Sequence, residues 1–487
     1  MLDREQLVAQ ITRDVIARLA QQRAIPQRSS PAPVVAPPPG SIALGDGVFR
    51  SVDEAVQAAA TAQRRVAALR LAERGRIVDL IKRLCEEHKQ ELGRAELDET
   101  KIGRIEHKIA KLEAIKDVPG VEAMRSHARS DVTGLCLIEH APWGVIGMVL
   151  PVTHSAPTLA SNAINVLASG NTAVFSPHPA GARVAVRALQ LFNREIERAT
   201  GIANVLTTVA EPSIQAAGEL FHHPGVALLT VTGGPVVVRE AMKAGKRVIA
   251  AGPGNPPVVV DETASLDRAA ESIIEGGAFD NNLLCISEKE AFVVEAVFAD
   301  FVAAMRRAGA RELDARAIER LSRAAFETEP GRGVGCGQAR LKRDLVGKDA
   351  SILAQAAGTS VPGDTLLLFG ETTKDHAFVQ TEQMMPFIPL VRVPDVDAAI
   401  AAAVEAEHGY RHTAVIHSRD VNNVTKMAKA LGTTLFVQNA PSTASLGVDA
   451  PSYLSFSIAT PTGEGVTTPM TFTRERQLTV GGALRIH

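Results

Sequence analysis

Leu7, Ile11, Val15 and Leu19 follow one another at four-residue steps with Val8 beside them, while Arg4, Arg13, Asp14 and Arg18 take the other positions. That spacing predicts a helix over residues 3–22 with one apolar stripe. Prolines at 26, 31, 33, 37, 38 and 39 follow. Such a composition cannot build a core, so residues 23–47 read as an extended linker. A helix this short is marginal alone, and its stripe must find a partner. Either it folds back on its own domain or oligomer, or it binds a separate protein. The proline spacer favours the separate protein.

From Val48 onward the pattern changes. Helical stretches over Val52 to Leu69 and Arg74 to Leu92 lead into short apolar segments at 145–150, 172–176, 205–209, 227–232 and 247–250, separated by further helices. Apolar runs of this length alternating with helical spacing predict parallel strands joined by crossovers, an α/β fold. A second alternating region runs from Pro257 to about Phe436.

Composition narrows the function classes. A chain of 487 residues with 46% hydrophobic and 22% charged residues and a formal charge of −2 has no basic surplus to hold nucleic acid. Its apolar runs are broken by Gly and Pro well short of the ~20 residues of a membrane-spanning helix. The start Met1-Leu2-Asp3-Arg4-Glu5 lacks a signal-peptide core, so a cytoplasmic location is expected. Cys85, Cys136, Cys285 and Cys336 have no CxxC spacing, which predicts free thiols and no metal site.

One thiol has a distinctive setting, Gly276-Gly277-Ala278-Phe279-Asp280-Asn281-Asn282-Leu283-Leu284-Cys285-Ile286-Ser287. A cysteine with no charged neighbour is by default a small buried hydrophobe. The Asp-Asn-Asn run, however, predicts a turn that presents Cys285 and nearby backbone N–H groups to a pocket, as a thiolate nucleophile and its oxyanion need. Asn281 and Asn282 either orient substrate or merely build the turn.

Around this segment, in register, stand Pro142-Trp143-Gly144-Val145-Ile146-Gly147, Thr172 to Pro179, Val231-Thr232-Gly233-Gly234, Gly252-Pro253-Gly254-Asn255-Pro256 and Glu382-Gln383-Met384-Met385-Pro386. Together they resemble the aldehyde dehydrogenase superfamily from Val48 onward. The resemblance implies a nucleotide-binding domain over 48–250, carrying part of the oligomerisation element, and a catalytic domain over 251–440. A returning oligomerisation segment over 441–487 would complete a dimer or tetramer, with Thr471 to Thr479 as interface strand. Cys285 is then the nucleophile that passes through a thioacyl-enzyme, with NAD as hydride acceptor.

Hydrolytic members carry a glutamate general base at the position of Ala250. Its loss, with Ser-Pro-His-Pro at 176–179 and Gly-Pro-Gly-Asn-Pro-Pro at 252–257, resembles CoA-acylating members, so coenzyme A is the implied acyl acceptor. Ser176, Pro177 and His178 stand where many members place a lysine near the adenosine ribose, which disfavours NADP; the lesser alternative is that His178 merely satisfies a turn. Thr232, Gly233, Gly234 and Gly252 would face the pyrophosphate side of NAD, although glycines after a strand also make ordinary turns. Glu382 matches the glutamate of the nicotinamide ribose, against a default reading as a solvated charge. Thr153 or His154 replaces the oxyanion asparagine. The pattern resembles the propionaldehyde and acetaldehyde dehydrogenases of bacterial microcompartments, whose targeting peptides resemble residues 3–22. A shell or core protein is thus the implied partner and the compartment lumen the implied location. The competing readings are a hydrolytic dehydrogenase with its base elsewhere and a non-catalytic packaging adaptor.

Overall fold

The computed structural model describes residues 42–327 and 339–484. The helix expected over 3–22 and Cys336 lie outside them. Residues 43–46 are bound to the body: Gln190 donates to the carbonyl of Ala43 (3.1 Å) and Asn193 to that of Asp46 (2.9 Å).

Two all-parallel sheets organise the α/β fold. The first has six strands in the spatial order Val48–Phe49, Leu206–Val209, Thr172–Pro177, Val145–Leu150, Leu228–Thr232, Arg247–Ala251. The second has seven, in the order Arg311–Glu312, Leu368–Thr372, Phe387–Val393, Glu290–Val294, Pro257–Val260, Thr413–His417, Leu435–Gln438. Val145–Leu150, Thr172–Pro177 and Pro257–Val260 are buried at every position, which is why they read as continuous apolar runs without alternation.

The topology sets the site. After Val145–Leu150 the chain lays the strands at 172–177 and 206–209 on one side and those at 228–232 and 247–251 on the other. The carboxyl end of Val145–Leu150 is therefore a switch point, where open α/β sheets leave a crevice. Residues 252–256 then run directly from the end of the first sheet's last strand into the first strand of the second. The carboxyl edge of one sheet is thereby linked to the amino edge of the other, and Cys285, Glu382 and His412 all precede strands at that amino edge.

A third sheet is antiparallel. His127–Asp131 and Gly134–Pro142 form a hairpin, and Thr473–Gly481 returns to pair with the latter along its whole length, from Thr473 opposite Pro142 to Gly481 opposite Gly134. No helix among the described residues is long and apolar enough to cross a membrane.

Candidate active site

Helix Leu266–Ala278 ends in Asp280, Asn281 and Asn282, all with positive φ (50°, 57° and 65°). Asp and Asn enter the left-handed region more readily than other L-residues, so this composition permits the turn. Side chains then lock it. Asn282 Nδ2 donates to the carbonyls of Gly277 and Glu288, each at 2.8 Å, and Asn281 Nδ2 to the carbonyl of Gly347 (3.0 Å) and to Asp349 (2.9 Å). Both asparagine amides thus serve the turn. Leu284 and Ile286 bury in the apolar core of the first sheet with Leu150, Ala156 and Phe456, holding Cys285 between two anchors. Each is worth ~1.5–3 kcal/mol when fully buried.

Cys285 itself is half-buried and free; Cys85 and Cys136 are free as well. The Cys285 thiol is pushed up to about 12, by burial first and then by the Glu382 carboxylate, against the downward pull of the Lys289 ammonium and the N–H groups of Cys285 and Ile286. At rest Cys285 is therefore a protonated thiol. The same two N–H groups stabilise negative charge at the sulfur, and such donors are suited to an oxyanion beside it.

Lys289 is fully buried and donates to the carbonyls of Asn282 (2.9 Å) and Leu284 (3.0 Å). Burial raises the Glu382 pKa, against the pull of the Lys289 ammonium and the Gly254 N–H. A Cβ on Gly254 would stand 2.6 Å from the Cys285 carbonyl oxygen and 2.9 Å from the His412 ring, so glycine lets this connector pass against the cysteine loop. Buried His412 bonds Thr413 Oγ1 through Nδ1 (2.8 Å), and its Nε2 has no hydrogen-bond partner. Burial, then Lys289, push it down to about 4, so it is neutral near pH 7.

Thr153 and His154 follow the switch-point strand, and His154 caps helix Ser155–Ala168. The Thr153 carbonyl accepts from Lys108 (2.8 Å) and Lys111 (3.2 Å). His154 is buried, its ring centroid 5.8 Å from that of Phe456, with Nδ1 unpartnered. Burial first, then the Lys111 and Lys108 charges, push its pKa well down, so it too is neutral.

Ser176 and Pro177 end their strand, both buried. His178 Nδ1 accepts from the Ala180 N–H (3.1 Å), so this histidine does satisfy a turn. Its pKa is lowered by burial and then by Arg343, a cation brought to this strand end from a distant segment. Thr232 Oγ1 lies 2.9 Å from Ser457 Oγ. Gly233 leads to Gly234, which caps helix Pro235–Met242 and has open space where a Cβ would be. Gly252 passes under Pro461, which a Cβ would approach to 2.8 Å. Ala250 is fully buried in the cluster of Val231, Val238 and Val248, its N–H donating to Thr462 Oγ1 (2.9 Å).

Cys285, Gly254, Lys289, Glu382 and His412 therefore form one centre. Thr153 and His154 are tied to it through Lys108, Lys111 and Asp280. The nucleotide candidates lie along the carboxyl edge of the first sheet. Lys108, Lys111, Lys289, His412 and Arg343 were not legible as site residues, because nothing local distinguishes a buried lysine from a solvated one.

A family model for the aldehyde dehydrogenase family matches residues 41–315. Acetaldehyde dehydrogenase (acetylating) EutE of Salmonella typhimurium is 45% identical over 450 residues, which cover 92% of this chain and 95% of that one. The chain belongs to the aldehyde dehydrogenase family. Among solved members, the propionaldehyde dehydrogenase of the Clostridium phytofermentans fucose utilisation bacterial microcompartment matches with a TM-score of 0.87 and 38% identity, over 91% of this chain and 100% of that one. The Rhodopseudomonas palustris propionaldehyde dehydrogenase with bound CoA and an acylated cysteine matches with a TM-score of 0.87 and 40% identity, over 91% and 100%. Both aldehyde dehydrogenases share the α/β architecture described above.

Proposed function

We propose that this aldehyde dehydrogenase oxidises a short aldehyde, propionaldehyde or acetaldehyde, with NAD and transfers the acyl group to coenzyme A. The observation that carries the choice of acceptor is Ala250, a methyl group in an apolar cluster where a water-activating carboxylate would stand.

Cys285 attacks the aldehyde carbonyl once its thiol has lost a proton, and the new alkoxide faces the Cys285 N–H with Thr153 and His154 across the crevice. The open space at Gly234, the helix start behind it and the Glu382 carboxylate fit a dinucleotide, with Ser176, Pro177 and His178 toward the adenosine and Thr232, Gly233 and Gly252 flanking the pyrophosphate. NAD bound there supplies the hydride acceptor. Cys285 is left as a thioester. With no carboxylate on strand Arg247–Ala251, water is poorly activated, whereas the thiol of coenzyme A needs less base assistance.

The domain roles follow: residues 48–250 bind nucleotide, 251–440 supply the nucleophile, and the strand Thr473–Gly481 offers its exposed free edge to a dimer or tetramer. The stripe at 3–22 would bind a shell or core protein and place the enzyme in a microcompartment lumen; the origin of the Clostridium phytofermentans relative supports that setting.

The deciding experiment measures NADH formation from both aldehydes with and without CoA, alongside Cys285→Ala. Sustained turnover that needs both CoA and Cys285 is expected. Full-rate turnover without CoA, giving free acid, would establish the hydrolytic reading. For packaging, residues 1–22 fused to a fluorescent cargo should co-purify with shells, and diffuse cargo would reject the targeting role.

A further inference from the structure

Behind the cysteine loop lies a charge cluster that the reaction as derived does not use. Lys108 and Lys111, from helix Ile105–Glu113, meet Asp280 of the left-handed turn and Glu96 of helix Leu71–Thr100, and all four side chains are at most 2% exposed. Lys111 Nζ lies 2.6 Å from Asp280 Oδ2, and Lys108 Nζ lies 3.2 Å from the same oxygen and 3.2 Å from Glu96 Oε1. The other Asp280 oxygen accepts from the Arg104 N–H (2.9 Å), and the Asp280 N–H donates to His107 Nδ1 (2.8 Å). The other Glu96 oxygen accepts from the Ala156 N–H (3.2 Å), in the first turn of the helix that His154 caps.

Both ammonium groups also converge on one backbone atom, the Thr153 carbonyl oxygen, at 2.8 Å and 3.2 Å. Asp280 is five residues before Cys285, and Thr153 precedes His154 at the switch point. One short helix thereby grips the nucleophile's turn through a carboxylate and the opposite wall of the crevice through a carbonyl. Two carboxylates and two ammoniums balance in charge, but desolvating them is costly, and replacing buried ion pairs by apolar side chains is often neutral or stabilising. Packing alone therefore gives no reason to place them here. A site that must hold two loops of different sheets within a fraction of an ångström does.

We infer that Lys108 and Lys111 are positioning residues, which fix the Cys285 turn and the Thr153–His154 turn at the separation that aldehyde addition requires. The inference rests on Cys285 as the nucleophile of the proposed reaction.

The test uses the full chain and the NADH burst that one equivalent of propionaldehyde gives per Cys285 without CoA. Lys111→Met leaves two buried carboxylates on the single Lys108 ammonium and is expected to fold poorly, so the decisive protein is Lys111→Met with Asp280→Asn. That pair removes one charge of each sign, and asparagine keeps the preference for positive φ at 280. Its thermal midpoint is expected within a few degrees of wild type. Its burst should be at least ~10-fold slower per folded molecule, the equivalent of ~1.4 kcal/mol in the barrier, with the KM values for aldehyde and NAD changed less than ~3-fold. Lys111→Gln, which keeps a donor but no charge, should recover part of the burst rate. A folded double variant with the wild-type burst overturns the inference, and so does a loss fully explained by its unfolded fraction. Absence of a burst in the wild type would instead overturn the proposed reaction.

Discussion

The ammonium of Lys289 donates to the carbonyl oxygen of Leu284 at 3.0 Å, so a buried cation stands directly under the residue that precedes Cys285. It supports the loop by capping carbonyls, and it favours the Cys285 thiolate through its charge. Lys289→Met removes both effects. Alkylation of Cys285 by iodoacetamide at pH 8 is expected to slow about tenfold for each unit by which the thiol pKa rises. The thermal midpoint should fall as well, since orphaned buried acceptors cost ~1–3 kcal/mol each. Wild-type alkylation in a folded variant would show that the lysine is only a brace.

Glu382 acts in the opposite sense on the same thiol. An anion beside a thiol disfavours the thiolate and raises its pKa, so removing the charge lowers that pKa. Glu382→Gln is therefore expected to alkylate faster than wild type below pH 9 while turning over more slowly with NAD, because the proposed ribose contact is weakened. Parallel losses in both assays would contradict the separation of these roles.

Glu288 gives a stability prediction. Burial raises its carboxyl from 4.5 to about 7, although Ser442 donates to both oxygens through N–H and Oγ at 2.7 Å each. A carboxyl whose pKa is higher folded than unfolded binds more protons in the native state between those two values, so stability falls as pH rises from about 4.5 to about 7. Glu288→Gln removes that titration. The difference in thermal midpoint between variant and wild type should grow in the variant's favour from pH 5 to pH 7.5, and a constant difference would refute it.

Ala250→Glu tests whether the acceptor can be switched by one residue. The methyl group is enclosed by Val231, Val238 and Val248, so a carboxylate there is both oversized and desolvated. Overpacking alone costs ~1–3 kcal/mol. A rise in the ratio of free acid to acyl-CoA is expected, together with a lower thermal midpoint. An unchanged ratio in a folded variant that binds NAD would mean that the missing carboxylate is not what sets the acceptor.

Much of this architecture was written in short-range pattern. Strands such as Val145–Leu150 and Thr172–Pro177 are buried on both faces, and so appear as uninterrupted apolar runs between helices. The left-handed turn was legible because Asp280, Asn281 and Asn282 are the residue types that tolerate it. What stayed hidden depends on partners far along the chain. Lys108 reads as one more charge on an amphipathic helix until Asp280, 172 residues later in sequence numbering, is folded against it. His178 lost a neighbouring lysine in sequence, yet Arg343 brings a cation to the same place from another element. His412 has an ordinary local context, and its nearness to the Cys285 loop exists only through the close passage at Gly254.

The antiparallel sheet has a consequence for how the enzyme is born. Gly134–Pro142 must wait for Thr473–Gly481 to leave the ribosome, and Asn171 likewise waits for the Phe472 carbonyl it binds at 2.9 Å. At ~5–20 residues per second, that interval is tens of seconds during which a nine-residue strand shows a bare edge. Exposed edges recruit other strands, so nascent chains of this enzyme are open to mispairing with one another until Thr473–Gly481 closes that edge.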